Sequence, residues 1–196
     1  MNEFNPPGWA EALLRFLLSP KDRQAVSGDL LEEYRESIRP QRGQDAADYW
    51  YIRQVTGFAF YGNWIWAALL SGTFIARTAY DWFVPTDYFQ DRSLVSTWLV
   101  FAILVSAGFR AAWQSGLLRS GLLAGIATTA LSAVISILGV GSLYLVWHDP
   151  STLAAIQGSG GLAEALMLPL MLVVPGMLLG AFGGMIGGLV RRTISA

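Results

Sequence analysis

The stretch Gly176-Met-Leu-Leu-Gly-Ala-Phe-Gly-Gly-Met-Ile-Gly-Gly-Leu-Val190 carries no charge and six glycines, at 176, 180, 183, 184, 187 and 188. Read as a helix at about 100° per residue, the six glycines fall on one stripe about 140° wide. Leu178, Leu179, Phe182, Met185, Ile186, Leu189 and Val190 cover the opposite side. In water such a segment would lose stability, because each glycine lowers helix propensity and the large side chains have nothing to bury against. In lipid the pattern makes sense. Hydrocarbon is as apolar as leucine, so helices there associate where small residues let their backbones approach.

Working outward, the whole apolar run extends from about residue 162 to 190, enough to cross a hydrocarbon core that needs about 20 residues. Three earlier runs also qualify, at about 58–80, 94–113 and 117–147. Aromatic residues near their ends, among them Trp82, Trp98, Trp113 and Trp147, suit a membrane–water interface. The run at 117–147 has its own small-residue face: Gly121, Gly125, Thr128, Ser132, Ser136 and Gly139 project within about 80°. The two faces are expected to pack on each other, with Gly121, Gly125, Ser132 and Ser136 meeting Gly176, Gly180, Gly183, Gly184 and Gly187. Gly139 and Gly141 are expected to end or bend the third run, and Pro169 and Pro175 to kink the fourth.

Charge divides the chain. Residues 1–57 hold 7 of the 13 basic and 9 of the 14 acidic side chains, while the other 139 residues hold 6 and 5. The expected fold is therefore all-α, with a small helical cytoplasmic headpiece over 1–57 and a four-helix transmembrane bundle over 58–196. Arg53, Arg110, Arg119, Arg191 and Arg192 flank one side of the spans, and the opposite loops carry mainly Asp81, Asp87, Asp91, Asp149 and Glu164. Basic residues stay on the cytoplasmic side. Both termini are thus expected in the cytoplasm of a bacterial-type cytoplasmic (inner) membrane. The opening residues lack a basic segment before an apolar core, so no signal peptide is expected there.

Several chemistries have no residues to carry them. There is no cysteine and one histidine, His148, so thiolate sites and multi-histidine metal sites are excluded. A net charge of −1 argues against nucleic acid as a partner. No catalytic residue, cofactor or metal ligand is expected, and the chain reads as a non-enzyme. Arg77 and Glu164 near span ends are a conceivable pair. Asn63 reads as an interior hydrogen-bonding residue of the first span, and His148-Asp149-Pro150 as a turn.

In the headpiece, Trp9, Leu13, Phe16 and Leu17 form one face of a short helix. Ser19-Pro20-Lys21-Asp22 has the form of a helix start. Gly28 is expected to interrupt the chain, with Asp29 capping a third helix over Leu30–Ile38 and Glu32 and Glu33 in its first turn. Arg39-Pro40-Gln41-Arg42-Gly43 reads as a turn, and a last helix from about Asp45 is expected to run into the first span.

The order Pro-Pro-x-Trp, Leu-Leu, Pro, Arg23, Val26-x-Gly28-Asp29-Leu30-x-Glu32-Glu33-Tyr34, Gly43, Ala46 and Trp50-Tyr51-x-x-Gln54 resembles the permease prefix domain. That module precedes certain ABC-type permeases of the macrolide-exporter kind. The resemblance covers about residues 6–57. It implies a partner-docking role for Arg23, Gly28, Asp29, Glu32, Glu33, Tyr34, Trp50, Tyr51 and Gln54. Such permeases carry a large domain between their first two spans. Here that loop is roughly a dozen residues, far below domain size, so transport activity is not implied.

The expected function is a multi-pass membrane accessory or regulatory protein in the lipid bilayer. Its headpiece would dock a protein partner at the cytoplasmic face, either a transport-complex component or a transcriptional regulator. Two alternatives stand beside it. One is a small glycine-zipper homo-oligomer acting as a channel or transporter. The other is a structural subunit of a larger membrane complex.

Overall fold

The computed structural model describes residues 5–18, 20–84, 89–147, 149–158 and 161–194. Ser19, Asp87 and His148, named above, lie outside them. Every regular element among the described residues is helical, and the chain divides into two compact units at Gly62–Asn63.

The first unit contains α1 (Gly8–Leu17), α2 (Pro20–Glu33), a π-helical turn (Tyr34–Ile38), α3 (Arg39–Arg42) and α4 (Gln44–Tyr61). From Pro20 to Arg42 the backbone stays helical, which corrects two expectations. Gly28 does not interrupt and Asp29 caps nothing. Leucine and valine on either side of Gly28, Val26 and Leu30, both pack on the headpiece core, and that burial outweighs the roughly 1 kcal/mol cost of a helical glycine. Nor is Arg39-Pro40-Gln41-Arg42 a turn. Pro40 cannot donate to a carbonyl four residues back and its ring crowds that group. The wide turn before it, with Arg39 N–H bonded to Tyr34 O, lets the helix pass through. The stop comes at Gly43, whose φ of +80° favours glycine.

The core of this unit is Ala10, Leu14, Tyr34, Ile38, Ala47, Tyr51 and Val55. The buried face of α1 is thus Ala10 and Leu14, with Leu13 and Leu17 beside it, whereas Trp9 and Phe16 point outward.

The second unit contains α5 (Trp64–Phe83), α6 (Phe89–Ser115), α7 (Leu118–Val146), α8 (Pro150–Gly158), α9 (Gly161–Met171) and α10 (Val173–Ile194). Among the described residues, three helical stretches are long and apolar enough to cross a membrane: α6, α7 and the α9–α10 run. The apolar helix expected at 58–80 begins at Trp64, because Gly62 and Asn63 break the chain. Phe58 to Tyr61 therefore belong to the first unit. Asn63 sits at the break rather than inside a span.

Gly139 and Gly141 do not end α7, which runs on to Val146. The fourth run does break, between Met171 and Val173, one turn before Pro175. Pro175 has no N–H for the Met171 carbonyl. The segment after Asp149 is not a plain loop: Asp149 caps α8, accepting from Thr152 Oγ1 (2.7 Å), Thr152 N–H (3.3 Å) and Ser151 Oγ. Those bonds, Ser151 first and then Thr152, lower its carboxyl pKa to about 2.

Candidate functional site

Within the first unit, the residues of the prefix-like pattern separate into two sets. Tyr34 and Tyr51 are fully buried. Their rings meet edge to face at 5.9 Å, and Tyr34 Oη donates to Asp48 Oδ1 at 2.6 Å. Burial raises the Tyr34 phenol to about 12, with the Asp48 bond adding to it. Burial does the same for Tyr51, whose hydroxyl is enclosed without a hydrogen-bond partner. Trp50 is half-buried and leans on the same core, 6.5 Å from Tyr51. Arg23 and Gln54 are half-buried. These aromatic residues hold the unit together, so Tyr34 and Tyr51 offer a partner no surface.

The second set is exposed. Gly28, Asp29, Glu32 and Glu33 all lie on the surface of α2, and nothing packs over Gly28. Asp22, also exposed, projects with the three acids within about 100° on the helix. Trp9 and Phe16 of α1 are 58% and 43% exposed. Sequence grouped these two with Leu13 and Leu17. A projection centred on Ala10 and Leu14 instead would have separated them.

Within the second unit, the glycine stripe of α10 is used on two neighbours. Gly176, Gly180 and Gly184 meet α7: a Cβ on Gly180 would stand 2.5 Å from Gly121 O and 2.8 Å from Gly125 Cα, and one on Gly176 would collide with Thr129. Gly183 and Gly187 meet α6 instead. A Cβ on Gly187 would lie 2.5 Å from Phe109 O, and one on Gly183 would run into Val105 O. Gly108 of α6, absent from the expected set, lies directly against the Gly180 backbone. Gly188 has open space above it.

The small-residue face of α7 is likewise divided. Gly121 and Gly125 face α10, but Ser132 faces α5, where Ser71 Oγ lies 3.2 Å from Ser132 Oγ and 3.3 Å from Ser132 O. Ser136 and Thr128 are fully buried with hydroxyls that lack a partner.

Polar groups gather at both ends of this unit. Where α5 leads to α6, Arg77 pairs with Asp81 (3.5 Å) and donates to Ser96 Oγ (3.3 Å). Arg92 pairs with the same carboxylate (3.6 Å) and donates to the Tyr80 and Val84 carbonyls at 3.2 and 2.9 Å. Asp81, on the same helix, is thus an ion-pair partner of Arg77. Glu164 lines a crevice that Arg77 and Asp81 share. Arg77, Arg92 and Asp91 also line a groove of about 430 Å³ between α5 and α6.

At the other end, Arg191 of α10 donates to the Trp113 and Gln114 carbonyls, both at 3.0 Å, and so caps α6. Gly116 turns the chain there with φ of +74°, and a side chain on it would strike the Arg191 guanidinium.

Among the described residues, no three histidine, aspartate or glutamate side chains gather in a group that could hold a metal ion. What the geometry offers is surface chemistry: an acidic helix face and exposed aromatics on the first unit, and a charged groove on the second. Comparison of the chain with protein-family models, with curated proteins and with solved structures found no match to any of them.

Proposed function

We propose that the protein is a non-enzymatic membrane accessory or regulatory protein, whose headpiece presents the acidic face of α2 to a protein partner in the cytoplasm. The observation that carries this reading is the separation within the prefix-like pattern: Tyr34 and Tyr51 build a core, which leaves Asp29, Glu32 and Glu33 exposed on one helix. A unit with its own core and a single-sign face suits docking, because charge complementarity steers encounter and sets partner choice. The partner would carry a basic surface. A subunit of a transport complex or a transcriptional regulator is the class the prefix resemblance suggests.

In this reading the second unit is a four-span anchor, with α5 as its first span. At about 1.5 Å per residue, the 20 residues of α5 are about 30 Å long, the thickness of the hydrocarbon core. Its charges, Arg77 and Asp81, neutralise one another close to its end. Arg110, Arg119, Arg191 and Arg192 cluster at the α6–α7 turn and the C-terminus, which supports a cytoplasmic placement of that side in a bacterial-type inner membrane. Five of the six stripe glycines, all but Gly188, are occupied by contacts within the chain rather than free to line a channel between copies.

The test is cross-linking of full-length protein to its neighbours in native membranes, comparing wild type with the E32K/E33K variant. Both positions are exposed, so the variant should fold and melt as wild type does. The expected result is loss of a basic-surfaced partner that wild type captures. Identical partner sets from the two proteins would sink the proposal.

A further inference from the structure

The first unit ends in aromatic surface. Val55 is the last residue of α4 in its core, and beyond it Phe58, Phe60 and Tyr61 are exposed, Tyr61 at 84%. Only Gly62 and Asn63 separate this aromatic turn from α5. α1 packs on α4, and its Ala10 and Leu14 share a core with Tyr51 and Val55. At about 1.5 Å per residue, Tyr51 and Val55 lie about 15 and 9 Å before Tyr61 along the helix. α1 is therefore held beside the half of α4 that leads into the aromatic turn.

α1 also turns an apolar side outward. Trp9, Ala12 and Phe16 project within about 60° of one another, and all three are exposed. The two charges of the helix, Glu11 and Arg15, pair with each other and cancel. α2 differs: it carries Asp22, Asp29, Glu32 and Glu33 against Lys21 and Arg23.

One surface is always within reach of this face. The chain that follows holds three helical stretches long and apolar enough to cross a membrane, so the headpiece is tethered to lipid. Tethering makes the lipid surface a partner at high effective concentration. Tryptophan suits the headgroup layer, where its ring leaves water while its N–H keeps a polar partner. The negative charge of a cytoplasmic leaflet repels the acids of α2 and admits a neutral helix. We propose that α1 is an interfacial helix, lying on the bilayer that the second unit crosses, with Trp9, Ala12 and Phe16 in the headgroup layer and the acids of α2 in water. The inference rests on the second unit being embedded in lipid, and it leaves the acidic face of α2 open to a partner.

The experiment places an environment-sensitive fluorophore on single cysteines of the full-length protein in proteoliposomes of phosphatidylcholine and phosphatidylglycerol. The chain has no cysteine of its own, so each label is unique. Ala12→Cys reports on α1 with Trp9 and Phe16 in place. Glu33→Cys reports on α2, and Leu178→Cys, 61% exposed on α10, on the second unit. Lipids carrying a nitroxide on the headgroup or along the acyl chain serve as quenchers. The label at 12 should emit to the blue of the label at 33 and be quenched by headgroup nitroxide, while the label at 33 is not. The label at 178 should be quenched by acyl-chain nitroxide. W9E in the Ala12→Cys background should lower the docked-to-undocked ratio about tenfold or more, since it loses an aromatic ring and adds a charge. W9F should retain docking. Trp9 is exposed, so both variants should melt as the parent does.

Equal quenching at 12 and 33, or quenching at 12 unchanged by W9E, would overturn the proposal. So would a blue-shifted label at 12 that no lipid nitroxide quenches, which would place protein rather than lipid over α1. An unquenched label at 178 would overturn both the membrane placement of the second unit and the interfacial helix. Quenching at 178 with none at 12 would overturn the interfacial helix alone.

Discussion

Tyr34 shows how far a motif residue's role depends on what lies beneath it. The prefix-like pattern put Tyr34 beside Glu32 and Glu33 as a docking residue. In the structure its ring is buried on Tyr51 and its hydroxyl donates to Asp48. Helical projection already separated them, since Tyr34 lies about 100° from Glu33. What no pattern could supply was Asp48, fourteen residues on and brought close only when α4 folds back. The neutral phenol is the form the fold stabilises, because its pKa rises from 10.0 to about 12. That contribution is whole below pH 10 and is lost as pH climbs through about 12. Tyr34 and Tyr51 should therefore ionise only near pH 12 in a phenolate-absorbance titration, together with loss of headpiece structure. Y34F should remove one late-titrating group and destabilise the unit by about 1 kcal/mol, the net worth of a hydrogen bond. An absorbance titration that Y34F leaves unchanged, with Y34F as stable as wild type, would contradict this.

At the level of elements, glycine spacing revealed which sides of α7 and α10 approach something, but not what each one approaches. The stripe on α10 is wide enough to serve two neighbours, and it does. Its α7 edge meets other small residues, a match that composition displays. Its α6 edge meets the backbone of Val105 and Phe109, large residues that a search for small-residue faces passes over. A helix end was legible where the backbone itself demands a glycine, as at Gly43 with its positive φ. Ends were misread at Gly28 and Pro40, where packing and a wide turn override local preference. Gly180→Ala and Gly183→Ala should each lower stability by about 1–3 kcal/mol or more, since a methyl group there meets backbone that cannot step aside. Gly188→Ala, with open space above it, should be neutral. Melting of the three variants in one detergent decides the matter. Equal melting of all three would mean that the glycine faces are not in close contact.

For the whole molecule, composition alone separated a charged first quarter from an apolar remainder, and the division at Gly62–Asn63 follows that contrast within a few residues. The number of crossings is the harder question. α6, α7 and the α9–α10 run are apolar enough by themselves. α5 carries Arg77 and Asp81, and as a span it would depend on their pairing with each other and with Arg92. Parity makes the count measurable. With α5 as a span, the headpiece and the C-terminal Arg191–Arg192 end lie on the same side of the membrane; with three spans they lie on opposite sides. The protein has no cysteine, so single exposed replacements report without background. Glu33→Cys and Arg192→Cys should both stay unlabelled by an impermeant maleimide in intact spheroplasts and label after permeabilisation, while Leu153→Cys in α8 should label in intact spheroplasts. Labelling of Glu33→Cys from outside while Arg192→Cys stays protected would leave three spans and contradict the four-span account.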